Sequence, residues 1–74
     1  MMTIFLYYKP HVPKMFEFRG KQYTVQVKND VPLVEVPEDL ETEFMNVTAG
    51  CCGNEYRAFR RASMEEVQKW YGIN

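Results

Sequence analysis

A small α+β fold, an antiparallel sheet with two short helices, is what this 74-residue sequence predicts. Three observations carry that reading. Residues 16–27 alternate apolar and polar positions on either side of a glycine, which is the pattern of a β-hairpin. Pro37-Glu38-Asp39 opens a segment whose Leu40, Phe44 and Val47 recur at helical spacing. Ser63-Met64-Glu65-Glu66 has the form of a capping box at the start of a second helix.

Residues 4–8 form an almost continuous β-favouring apolar run, followed by two prolines, Pro10 and Pro13, that cannot join a ladder. Such a run is either an ordinary first strand of the chain's own sheet or an edge strand on a stiffened arm that adds to a neighbour's sheet. The expected division is a strand or arm over residues 1–13 and one α+β domain over residues 14–74. In the hairpin, a two-residue Gly20-Lys21 turn of type II′ sets Arg19 opposite Gln22, Phe18 opposite Tyr23 and Phe16 opposite Val25. Phe16, Phe18, Tyr23, Val25 and Val27 then share one face. Asn29-Asp30 marks the next turn, and Leu33-Val34-Glu35-Val36 a short third strand.

Pro37 suits the first position of the first helix, where its missing N–H costs nothing, and Glu38, Asp39 and Glu41 complement the positive helix end. This helix should stop within residues 46–50. Residues 48–55 read as a loop and residues 56–62 as a fourth strand. The second helix, Met64–Tyr71, should turn Met64, Val67, Trp70 and Tyr71 inward, with Gly72 as its C-terminal cap.

Composition sets further bounds. The chain is 46% apolar and 15% aromatic, rich for its length. A domain this small buries only about 60–65% of the surface its unfolded chain exposes, so docking onto a partner is a common source of added stability. Charge is segregated: residues 1–30 carry a net +3, residues 31–55 a net −6 and residues 56–74 a net +2. This fits head-to-tail contact between copies, or an acidic helix that lies beside basic strands. The apolar run at residues 4–8 is too short for a membrane helix and lacks a basic leader, so a soluble, intracellular chain is expected.

Catalytic chemistry finds few candidates. His11 is the only histidine, and the sequence nominates no partner to orient it. Cys51 and Cys52 are adjacent, a spacing that neither staples a fold nor forms a zinc knuckle, although Arg57, Arg60 and Arg61 nearby could activate a thiol. Glu38, Asp39, Glu41 and Glu43 spread around the helix instead of converging. No metal or cofactor is expected, and the chain reads as a non-enzyme. Arg57, Arg60 and Arg61, interleaved with Tyr56 and Phe59, form the basic contact surface that would suit phosphate and base stacking, but the acidic block opposes nucleic-acid binding.

The order FEFRGKQYTVQV, a short strand, then VPEDLETEF resembles the F-x-F-x-G-x-x-Y…VP-x-D layout of small virion-associated proteins of tailed phages. The ending CCGNEYRAFRRASMEEVQKWYG looks like the cysteine-rich, capped-helix endings of short phage-encoded chains. The resemblance covers about two-thirds of the chain and transfers no ligand or catalytic residue. It implies a structural protein of capsid or tail, a cement, decoration or head–tail connector component. Such a protein would oligomerise or bind a capsid or tail protein, and would reside in the host cytoplasm before assembly and in the virion after it. On this reading Ile4, Phe5, Leu6, Tyr7 and Tyr8 bind the partner by β-addition. The alternative is a small phage regulatory or host-takeover protein that binds nucleic acid or inhibits a host enzyme.

Overall fold

The computed structural model describes residues 2–73. Its elements run β1 (Thr3–Tyr8), β2 (Lys14–Phe18), β3 (Lys21–Lys28), β4 (Val31–Pro37), a 3₁₀ turn (Glu38–Leu40), α1 (Glu41–Met45), β5 (Thr48–Ala49), β6 (Tyr56–Arg57), β7 (Phe59–Arg61) and α2 (Met64–Tyr71). One antiparallel sheet has the order β2-β3-β4-β1-β7, and β5 pairs with β6 in a separate ribbon. The α+β class expected from the sequence is the class observed.

Hairpins join β2, β3 and β4, while β1 lies beside β4, which is Greek-key order. The chain must therefore cross from β1, near the middle of the sheet, to β2 at its edge. The segment between Tyr8 and Lys14 makes that crossing with its prolines, where no ladder is needed. His11 anchors it: the residue has φ 64°, and its N–H donates to Tyr8 O at 3.2 Å. Its ring Nε2 lies 3.0 Å from Asp30 O in the β3–β4 turn.

The hairpin of residues 14–28 forms as expected, but its turn is one residue earlier. Phe18 pairs with Lys21, Glu17 with Gln22 and Phe16 with Tyr23, so Arg19-Gly20 is the two-residue loop. Both loop residues have positive φ, 53° and 76°, the signature of type I′ rather than II′. The correction moves each cross-strand partner by two positions, which preserves side-chain parity. Phe16, Phe18, Tyr23 and Val25 thus keep their common face, whereas Val27, beyond the end of β2, remains 37% exposed.

Two layers cover the sheet. On one face Leu6, Tyr8, Val25, Val34, Val36 and Phe59 pack with Leu40 and Phe44 from the 3₁₀ turn and α1. Phe44 is the hub, with ring centroids 4.6 Å from Phe18, 5.1 Å from Phe59, 5.7 Å from Tyr23 and 6.1 Å from Phe16. On the other face α2 lies across β3 and β4, and Trp70 stands 5.8 Å from Phe5 with its indole N–H donating to Gln26 O at 2.9 Å. Central β4 is consequently buried on both sides, through Val31 and Leu33 on one and Val34 and Val36 on the other.

Local signals decide the helix ends. Pro37 closes β4 and precedes the 3₁₀ turn, so it stands just outside the helix it was expected to begin. The Ser63 box is complete: Glu66 N–H donates to Ser63 Oγ at 3.2 Å, and Ser63 N–H donates to Glu66 Oε1 at 2.8 Å. Gly72, at φ 81°, ends α2 with Ile73 N–H donating to Gln68 O and Gly72 N–H to Lys69 O. The expected strand over residues 56–62 divides at buried Ala58, whose N–H donates to Val47 O. Its first half pairs with β5 and its second with β1.

Candidate functional site

The apolar run expected to bind a partner is interior. β1 has β4 on one side and β7 on the other, with Leu6 opposite both Val34 and Arg61. Leu6 and Tyr8 are buried, while Ile4, Phe5 and Tyr7 are partly buried. With β4 along residues 3–7 on one edge and β7 along residues 6–8 on the other, residues 3–8 are a strand of the chain's own sheet, in place of the separate arm over residues 1–13 and of β-addition through residues 4–8. Residues 3–8 belong to the same folded unit as the rest, and only Met1 and Asn74 of the expected division lie outside the described residues.

The charge blocks meet within the chain. The Arg61 guanidinium grips Glu41 through two bonds of 2.6 and 2.7 Å, and Arg19 reaches Glu43 at 2.8 Å and Asp39 at 3.4 Å. The acidic helix is therefore bracketed by the tip of one basic hairpin and by the edge strand β7. These hydrogen bonds hold the Glu41 and Glu43 carboxyls below the usual carboxylate range. Arg60 forms a two-pronged pair with Glu66 at 2.9 and 2.6 Å and lies over the Tyr7 ring at 4.1 Å. With Arg60 donating and the Ser63 amide adding a bond, the Glu66 carboxyl is lowered to about 2. Arg57 donates to Met45 O at 2.8 Å, a cation on the last turn of α1. The three arginines expected to form a basic contact surface are each committed to a neighbour in the fold.

The remaining chemistry-bearing residues do not converge. Among the described residues, no group of three or more His, Cys, Asp or Glu is placed to hold a metal ion. The Tyr7 hydroxyl lies 3.2 Å from His11 Nδ1, which ties the crossing segment to β1. Cys51 and Cys52 sit together on the loop between β5 and β6, both exposed as free thiols. Among the described residues, no helix is long and apolar enough to cross a membrane. A hollow of about 750 Å³ beside the end of α2 is lined by polar residues, including Asn29, whose side-chain amide caps Lys69 O at 2.9 Å.

A different surface is apolar and open. A groove of about 350 Å³ runs between the start of α2 and the first half of β1, lined by Ile4, Phe5, Ala62, Met64 and Val67 together with Arg61. Met64 is 76% exposed and Tyr71 56% exposed, although both were expected to point inward. The Ser63 cap places Met64 in the first turn, at the groove rather than over the sheet, and Trp70 takes the inward position at the other end. The cap fixes where the helix begins, while Trp70 and Tyr71, with rings 5.8 and 5.9 Å from Phe5, fix which side meets the sheet, and that long-range contact has no local signal in the sequence. Compared with protein-family models, with curated proteins and with solved structures, the chain finds no match in any of the three.

Proposed function

We propose that this chain is a non-enzymatic virion component of a tailed phage, of the cement, decoration or head–tail connector kind, and acts by protein–protein packing. The observation that carries the proposal is the apolar groove of Ile4, Phe5, Ala62, Met64 and Val67 on a chain of only 74 residues. An apolar surface of this kind gains free energy when a partner covers it, and a small domain gains stability with it. The resemblance of residues 16–44 and of the C-terminal segment to small virion proteins supplies the setting. A capsid or tail subunit, or a further copy of the chain, is the partner. The groove takes the place of β-addition by residues 4–8. Arg60 and Arg61 already pair with Glu66 and Glu41 within the fold, so the apolar groove is the main docking surface.

Quantitative peptide mass spectrometry of purified particles, made from the genome that encodes this chain, tests the proposal. The chain should be present at a constant ratio to the major capsid protein through successive purification steps. Peptides abundant in the infected-cell lysate but depleted from the particles at each step would overturn it.

A further inference from the structure

Docking makes no use of the loop between β5 and β6, where the two cysteines lie. Neighbouring side chains on an extended backbone point to opposite faces, so adjacent cysteines ordinarily hold their sulfurs apart. Here the backbone turns between them. Cys51 O accepts the Asn54 N–H at 3.1 Å, and the central residues Cys52 and Gly53 have φ of 61° and 86°, as in a type I′ turn. Gly50, at φ 95°, starts the loop in a conformation and a space that only glycine fits, since a Cβ there would come within 2.6 Å of Asn54 O. The result is that Cys51 Sγ and Cys52 Sγ lie 2.8 Å apart, and both residues are exposed.

We infer that Cys51 and Cys52 form a redox site, a vicinal dithiol that closes reversibly to a disulfide on reaction with a low-molecular-weight disulfide such as oxidised glutathione. The thiolate of Cys52 attacks one sulfur of RS–SR. The RS–SR bond breaks, a mixed disulfide forms on Cys52, and the departing RS⁻ takes a proton from solvent. Cys51 then loses its proton to solvent and attacks Cys52 Sγ, which expels the second RS⁻. Two thiols are oxidised to one disulfide, and RS–SR takes up the two electrons to become two RSH. The 2.8 Å separation of the sulfurs puts Cys51 within reach of an adduct on Cys52, and the hydrogen bond between them pushes the Cys51 thiol up.

The ring so formed is a switch rather than a staple. Adjacent Cα atoms are about 3.8 Å apart across a trans peptide, whereas disulfides usually span about 4.4–6.8 Å. Strained, exposed disulfides are the readily reduced ones, so the pair is a dithiol under reducing conditions and closes only when the surroundings oxidise.

The full chain treated with oxidised glutathione, then measured by intact mass without reductant, provides the test. The expected product is a monomer lighter by about 2 Da, with its titratable thiols falling from two to none and both changes reversed by dithiothreitol. Cys51→Ser should instead stop at a lasting glutathione adduct on Cys52. A wild-type chain that stops at the adduct, that links into disulfide dimers, or that keeps both thiols would overturn the inference. Circular dichroism of each species separates these outcomes from a loss of fold.

Discussion

Phe44 shows how one side chain can organise this core. It comes from a helix of five residues, too short to persist alone, yet four aromatic rings from β2, β3 and β7 surround it. Phe44→Ala should lower unfolding free energy by about 3–5 kcal/mol, as read from urea denaturation, because the cavity lies under a thin layer and at the centre of the cluster. Glu66 acts differently, through charge. Its carboxyl is lowered from 4.5 to about 2, so folding favours the ionised form. The stability this contributes is fully present above pH 4.5 and is lost as pH falls through about 2. Glu66→Gln keeps a side chain that can complete the cap but loses the charge partner of Arg60. It should cost on the order of 1 kcal/mol at pH 7, and the difference from wild type should shrink as acid titration proceeds from pH 4.5 toward 2.

At the scale of elements, the decisive feature is the place of β1. An apolar run with residues suited to both faces reads the same whether it lies inside a sheet or on an arm. What distinguishes the two is pairing with Val31–Pro37 and Phe59–Arg61, partners far away in the sequence. Removal of residues 1–9 should therefore unfold the chain, seen as loss of near-ultraviolet dichroism and of dispersed amide resonances, where an arm would come away from an intact domain. The elements that were legible are those with local causes: the hairpin alternation, the Ser63 cap and the Leu40–Phe44 stripe. The turn register was not, because Gly20 satisfies positive φ as the first residue of a type II′ loop or the second of a type I′ loop. Pairing of Phe16 with Tyr23, and the reach of Arg19 to Asp39 and Glu43, accompany the second. Met64 differs from its expected place for a related reason: apolar spacing names a face, but the docking of Trp70 on Phe5 and Gln26 O chooses how the helix is rotated.

For the whole molecule, charge segregation along the chain becomes complementarity within it. Asp39, Glu41 and Glu43 of the −6 block over residues 31–55 pair with Arg19 and Arg61 on either side, so half of the block's charge finds a partner inside one copy. An apolar surface stays open beside them, the groove between the start of α2 and the first half of β1. Met64 is the means of testing it: the side chain is exposed, it lines the groove, and an acidic residue in the first turn of a helix is favourable. Met64→Glu should leave the melting temperature within experimental error of wild type. The direct measurement is the copy number of Met64→Glu against wild type in purified phage particles, after expression to equal levels. Packing through the groove predicts a fall of about tenfold or more, the effect of about 1.4 kcal/mol of lost docking energy. Incorporation of the folded variant at wild-type copy number would contradict it.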